Sequence, residues 1–235
     1  MLENLNLDRK LPRARYDKVL PALQRRLFDL EKACWDGQVS SVVIFEGWES
    51  AGKGGAISAL TQRLDPRGFK LHNIQLPRTF EEQRPWLYRF WLRTPNRGEM
   101  AIFDHSWYTR VLVERAEKLV PKRQWRAAYP DILDFERMLA DEGTALVKFF
   151  FHISKKEQSK RFHKLEQDPL EAWRVDKAAR RQHRRYEDYL EAAEEMFERT
   201  ESGFAPWTII EATSRWWARK KVFDTIIGAL ERRLA

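Results

Sequence analysis

The chain contains a single cysteine, Cys34, so it forms no internal disulfide and its stability has to come from a buried core. Long apolar runs are also missing. Nothing approaches the roughly 18 residues that a membrane-spanning helix needs. Met1 to Arg15 is charged throughout and lacks the apolar stretch of a secretion signal. The histidines, at positions 72, 105, 152, 163 and 183, show no metal-ligand spacing. No repeat, low-complexity tract or long linker interrupts the chain. The expectation is a cytoplasmic protein that does not engage a membrane.

What the sequence does contain is consistent with one α/β domain over residues 1–235, with a helical extension over about 1–38. Apolar residues make up 43% of the chain, enough for a globular core. The formal net charge of +8 suits an anionic partner. Nucleotide, polyphosphate and nucleic acid all qualify on charge, but no nucleic-acid recognition motif stands out.

Leu20, Leu23, Leu27 and Leu30 recur at helical spacing and predict a helix over about 12–36. Val39–Phe45 is β-branched and almost wholly apolar, the pattern of a strand covered on both faces. A glycine-rich turn and a helix from Lys53 to about Leu64 follow. Further strands are predicted over 69–75, 100–103, 144–153 and 207–210. Helical segments are predicted over 81–93, about 107–141, 155–200 with a break near Asp168-Pro169, and 215–234. Alternation of strands and helices implies a mostly parallel sheet of about five strands covered by helices on both faces. Ligands of such sheets sit beyond the carboxyl ends of the strands, which directs attention to the loops after Phe45 and Phe103.

Gly47-Trp48-Glu49-Ser50-Ala51-Gly52-Lys53-Gly54 has the G-x-x-x-x-G-K core of a phosphate-binding P-loop, in the required strand-turn-helix setting. Glycines let backbone N–H groups turn toward phosphate oxygens, and the helix N-terminus adds a favourable field. Gly47, Ala51, Gly52, Lys53, Gly54 and Gly55 are the candidate phosphate-binding residues, with Lys53 as the mobile charge. Gly54 stands where a Ser or Thr would hold Mg²⁺, so the metal falls to Glu49 and Asp104. Asp104 follows the apolar strand 100–103 and places a hard oxygen ligand near the phosphates; its alternative role is an N-cap. Arg110 is a candidate for stabilising charge during phosphoryl transfer, against the alternative of a surface salt bridge. Arg115, farther along, is open between the two. Between Lys155 and Arg185 basic residues are dense, where nucleotide kinases carry a lid, here about 155–190. Arg161, Arg181 and Arg184 are its candidate phosphate ligands; the alternative is a solvated face laced with ion pairs. Arg78, Arg89 and Arg93 extend the candidate basic surface.

Taken together these motifs resemble the polyphosphate kinase 2 family. The resemblance runs from about Tyr16 to the C-terminus and rests on four segments. They are Phe45–Ile57, Phe103–Arg115 with its Asp104-His105-Ser106-Trp107-Tyr108, Phe149–Ser154 with Glu157-Gln158 and Arg161-Phe162, and Ala205–Thr208. It implies a thymidylate-kinase-like P-loop fold, a three-layer sandwich with a helical lid. It also implies Mg²⁺ and phosphoryl transfer between inorganic polyphosphate and a nucleotide (AMP, ADP or ATP), by a homo-oligomer, dimer or tetramer. Val111–Arg115 most resembles the branch that makes ADP from AMP. The chain departs from the family pattern at Glu49, where Asp is usual, and at His105, where Arg is usual and a phosphate contact is expected. Further departures fall on His183, Leu165 and Glu171, where the family has basic residues. These changes leave three readings open: an adjusted enzyme, an enzyme for a diphosphate acceptor, and a catalytically weak polyphosphate-binding subunit.

Overall fold

The apolar run near residue 40 forms the central strand of the sheet, β1 (Ser41–Gly47), in a computed structural model that describes residues 2–235. The other strands are β2 (Phe69–Asn73), β3 (Met100–Asp104), β4 (Ala145–His152) and β5 (Trp207–Glu211). All pairings are parallel, in the order β2-β3-β1-β4-β5. The helices are α1 (Arg13–Asp36), α2 (Lys53–Thr61), α3 (Thr79–Glu82), α4 (Tyr88–Trp91), α5 (Val113–Ala116), α6 (Lys122–Asp141), α7 (Lys155–Glu166), α8 (Lys177–Arg184), α9 (Tyr186–Thr200) and α10 (Arg215–Leu234). A 3₁₀ turn, Trp107–Arg110, follows β3.

Side chains of the inner strands alternate between two cores, as the strand period requires. Val43, Phe45, Phe149 and Phe151 pack with α1, α2 and α10 residues such as Leu30, Leu60 and Phe223. Val42, Ile44, Phe103 and Phe150 pack on the other face with α6 and α9 residues such as Ile132, Phe135 and Met196. The expected three-layer P-loop sandwich is therefore present. Two helical predictions are revised. The stretch 81–93 is two single turns, α3 and α4, because Pro85 lies between them and disfavours helix at the residue before it. The stretch 107–141 is a 3₁₀ turn and two helices separated near Pro121.

The second core contains a fully buried ion pair. Lys148 on β4 and Glu136 on α6 have no solvent exposure and lie 2.9 Å apart. Trp107 Nε1 and Tyr108 Oη donate to Glu136 at 3.0 and 2.8 Å, and Lys148 also donates to Tyr108 Oη and the Thr200 carbonyl, each at 3.0 Å. Burial pushes Glu136 up and Lys148 down, each opposed by the partner's charge. Every group in the network has a partner, and the network pins the turn that follows Asp104. Removing one charge leaves the other buried and unpaired. Lys148→Met should destabilise the fold by about 3–5 kcal/mol in denaturant unfolding, and the double variant Lys148→Met/Glu136→Leu should recover most of that loss. Equal losses in the two variants would show that the pair is not coupled.

Candidate active site

Parallel pairing aligns Phe45 of β1 with Asp104 of β3, so the loop after one strand and the carboxylate ending the other emerge side by side. The His105 N–H donates to the Phe45 carbonyl at 3.1 Å and the Ile74 N–H to the Asp104 carbonyl at 2.9 Å, which fixes that neighbourhood. β1 lies where the chain order switches direction across the sheet, the position at which such sheets bind ligands.

The loop needs its glycines for steric reasons. Gly47 has φ 126°, and a Cβ there would lie 2.3 Å from the Phe151 carbonyl oxygen. Gly52 has φ 103° and precedes the first turn of α2. Ser50 and His105 adopt positive φ, 59° each, without being glycine. Such conformations cost about 1–3 kcal/mol and have to be held by their surroundings.

Those surroundings grip the loop from behind. Trp48 is buried and stacks on Tyr186 at 4.0 Å and 11°, and its indole donates to His152 Nδ1 at 2.8 Å. Burial lowers His152 to about 4, so it accepts as a neutral ring. The backbone of Glu49 is held at both ends: its N–H donates to Gln182 Oε1 at 2.7 Å, and its carbonyl accepts from Gln158 Nε2 at 3.2 Å. Arg161 donates to the Ser50 carbonyl at 2.9 Å and to the Ala212 and Thr213 carbonyls at 2.8 and 3.0 Å, while Glu157 pairs with its Nε.

Lys53 is 7% exposed; its ammonium donates to the Gly47 and Trp48 carbonyls and lies 3.6 Å from Glu49 Oε1. The Lys53 charge, opposed by burial and aided by His105, holds the Glu49 carboxyl well below the usual carboxylate range. His105 joins two carboxylates: Nδ1 is 3.1 Å from Glu46 Oε2 and Nε2 is 3.3 Å from Glu49 Oε1. Ser106 Oγ donates to the other Glu46 oxygen at 2.7 Å. Burial and the Lys53 charge both oppose an imidazolium at His105. The hydrogen bonds that its ring N–H groups donate to Glu46 and Glu49 outweigh them and lift it to about 10. Asp104 brings one oxygen, Oδ1, that is buried and has no hydrogen-bond partner. That orphaned acceptor suits a hard cation. Among the described residues no three His, Cys, Asp or Glu side chains converge as a metal cage. Mg²⁺ does not require one, since it commonly takes one or two carboxylates and completes its shell with water and phosphate.

The structure thus brings Glu49, Lys53, Asp104 and His105 together around the loop. Arg110 lies in a separate cluster, paired with Glu114 at 3.1 Å, its guanidinium 5.2 Å over the Trp86 ring, its Nε buried without a partner. Arg115 pairs with Glu191 and Glu195. Arg181 is half-exposed and lies 3.3 Å from Glu117, and Arg184 is exposed. Arg89 and Arg93 both pair with Glu81. Gly54 faces open space, whereas a Cβ on Gly55 would meet Arg219 Nη2 at 3.0 Å. Glu46, Gln158, Gln182 and His152 were not singled out from the sequence. Each acts on a partner distant in the chain, and the one signal in the sequence was that Glu46, His152 and Gln158 lie in segments carrying the family resemblance.

A parallel sheet, a P-loop with a buried lysine and a strand-end aspartate define a P-loop fold of the nucleotide-kinase type. Residues 10–235 match the family described as Polyphosphate kinase 2 (PPK2), and the chain belongs to that family. It is 39% identical over 235 residues to the polyphosphate:AMP phosphotransferase of Pseudomonas syringae pv. tomato, covering 100% of this chain and 47% of that protein. It is 34% identical to the AMP/ADP-polyphosphate phosphotransferase of Meiothermus ruber, covering 91% and 80%. The crystal structure of a Pseudomonas aeruginosa protein assigned to polyphosphate kinase 2 superposes with a TM-score of 0.95 at 39% identity, covering 99% of this chain and 50% of that one. The chain therefore spans about half the length of several curated relatives that it matches. No helix among the described residues is long and apolar enough to cross a membrane.

The raised His105 has a defined pH signature. Its folded value lies above the free value of 6.5, so the imidazolium stabilises the fold. That contribution is complete below pH 6.5 and is lost as pH rises toward about 10. Measured with a chelator present, the stability advantage of the parent over His105→Gln should shrink across that window, and the ring should titrate near its upper end by NMR. A ring titrating near its free value would contradict the two-carboxylate clamp.

Proposed function

We propose that the chain transfers a phosphoryl group between inorganic polyphosphate and a nucleotide, with polyphosphate and AMP giving ADP. The observation that carries this reading is the buried, unpartnered Asp104 oxygen set in register beside a P-loop with a buried lysine. Membership of the polyphosphate kinase 2 family supports it, as do the relatives named for transfer to AMP.

In the forward direction a phosphate oxygen of AMP attacks the terminal phosphorus of polyphosphate. One P–O bond forms, the bridging P–O bond breaks, and the shortened chain leaves with the bridging oxygen. The protein's part is positioning and charge, because phosphoryl transfer leaves little covalent work for side chains. Backbone N–H groups from Gly52 to Gly55, at the N-terminus of α2, receive phosphate oxygens, while the Ala51 N–H donates to the Trp48 carbonyl at 3.2 Å and closes the loop. Lys53, on pulling away from the Gly47 and Trp48 carbonyls, neutralises the bridging oxygen as charge builds there. Asp104 and Glu49 would hold Mg²⁺, which when bound supplies positive charge to the phosphates. Counted formally, Glu46, Glu49 and Asp104 carry three negative charges against the two of Lys53 and His105. A divalent cation turns that balance positive, as a polyanionic substrate requires. Arg110, Arg181 and Arg184 complete the proposed cationic surface.

A second reading, a polyphosphate-binding subunit with little turnover, draws on one observation: Glu49 is committed to Lys53 and His105. Coupled assays with AMP, ADP, GMP and GDP, each with polyphosphate and with ATP as donor, separate the readings. We expect ADP formation from polyphosphate and AMP, dependent on Mg²⁺. Lys53→Ala and Asp104→Asn should each reduce it at least a hundredfold while the thermal transition stays. Tight polyphosphate binding without any turnover would establish the second reading.

A further inference from the structure

A group of arginines beside the P-loop was not expected from the sequence. α2 follows β1 and α10 follows β5, so both helices begin at the carboxyl edge of the sheet. There Trp216, on the first turn of α10, gathers three guanidinium groups: Arg219 at 5.2 Å, Arg215 at 5.5 Å and Arg13 at 5.7 Å from its ring centroid. Tyr16 packs on the same indole at 5.0 Å. Next to it Trp217 is tethered to Glu211 at 3.0 Å and carries Arg9 at 6.0 Å. Arg219 joins this group to the loop, its Nη2 lying where a side chain on Gly55 would otherwise project.

Like charges so close together are costly unless something anionic offsets them. Little in the chain does. Among the described residues only Arg13 has a carboxylate partner, Asp17 at 3.4 Å, and that pair is exposed. The α7–α8 segment is different. There Arg161 donates to backbone carbonyls and Arg180, Arg181, Arg174 and Arg185 each pair with Glu or Asp. Arg184 of that segment is exposed and, among the described residues, has no carboxylate partner, but the guanidiniums held over an indole beside the loop are those of the α1/α10 side. Indole faces hold these guanidiniums ready, so ordering them on binding costs little.

We propose that Arg9, Arg215 and Arg219 form a binding track for the polyphosphate chain beyond the reacting end, running outward from Gly55. This rests on the reading of the chain as a polyphosphate-dependent phosphotransferase. Gly55, on this view, is glycine so that Arg219 can reach the loop. The patch presents charge and no free ring, since the Trp216 indole is occupied by guanidiniums and Tyr16. It therefore suits a chain of phosphates and not a nucleobase.

The test is direct binding and turnover with tripolyphosphate and with long-chain polyphosphate across a salt series. It uses Arg9→Gln/Arg215→Gln/Arg219→Gln and a control that removes the same charge elsewhere, Arg25→Gln/Arg137→Gln/Arg232→Gln. The track variant should bind the long chain roughly tenfold more weakly, with a salt slope shallower by about two to three, while tripolyphosphate changes less than about twofold. Its kcat and its KM for AMP should stay near the parent's. Arg9→Gln/Arg215→Gln, both exposed, should give an intermediate loss and covers the case in which Arg219→Gln perturbs packing near Tyr16. An equal loss in the control, or an equal loss for tripolyphosphate, would overturn the track. So would an equal loss for single-stranded DNA with an unchanged polyphosphate affinity, which would assign the patch to nucleic acid. Failure of the functional reading is visible separately, as a parent that binds polyphosphate yet transfers phosphate to no acceptor.

Discussion

A carboxylate buried directly beneath a phosphate loop is the constraint around which this site is built. Glu46 is 1% exposed at the end of the central strand. Left alone, a buried charge costs several kcal/mol, and it would repel any phosphate above it. His105 and Ser106 meet the two oxygens of Glu46. To reach that position His105 adopts a left-handed backbone conformation, and its second nitrogen then extends to Glu49. One side chain therefore neutralises the buried charge and orients the loop's own carboxylate against Lys53. The family resemblance implies an arginine at this position. On the proposed reading the His105 imidazolium supplies that charge with a smaller group, leaving space for a glutamate where an aspartate is usual.

Three side chains from the segments flanking the site hold its backbone in place. Gln158 and Gln182 take both polar groups of the Glu49 peptide, and Arg161 takes the Ser50 carbonyl. The Ser106-Trp107-Tyr108 motif does similar work behind Asp104, with Ser106 on Glu46 and the two aromatic residues on the Glu136–Lys148 pair. Preorganisation of this kind matters because misplacement of about 1 Å can cost a hundredfold in rate.

How much of this could be read in advance follows from the range of each signal. The P-loop and Asp104 are local patterns, an apolar strand followed by a fixed sequence of residue types, and both were legible. So were the five strands and the two-faced sheet. The strand order was not, because pairing partners are not written in any one segment. Arg161 shows the limit most clearly: its charge marked it as a phosphate ligand, but the three carbonyls it bonds come from two distant loops. Arg9, Arg215 and Arg219 lie in different parts of the chain and gained meaning only once α1 and α10 were packed together. Residues 81–93 were expected to be one helix and are two single turns, because Pro85 interrupts the backbone between them.

The central claim is that His105 and Glu49 form a working, mutually adjusted pair. It is tested most directly by the transfer rate of the exchange Glu49→Asp, alone and combined with His105→Arg. Shortening residue 49 by one methylene draws its carboxylate away from His105 Nε2, now 3.3 Å distant, and from Lys53, now 3.6 Å distant. The account predicts that Glu49→Asp alone lowers the rate of ADP formation, by up to about a hundredfold, and that adding His105→Arg brings it back no higher than the parent. A large gain over the parent in either variant would show a damaged catalyst and contradict the adjusted site.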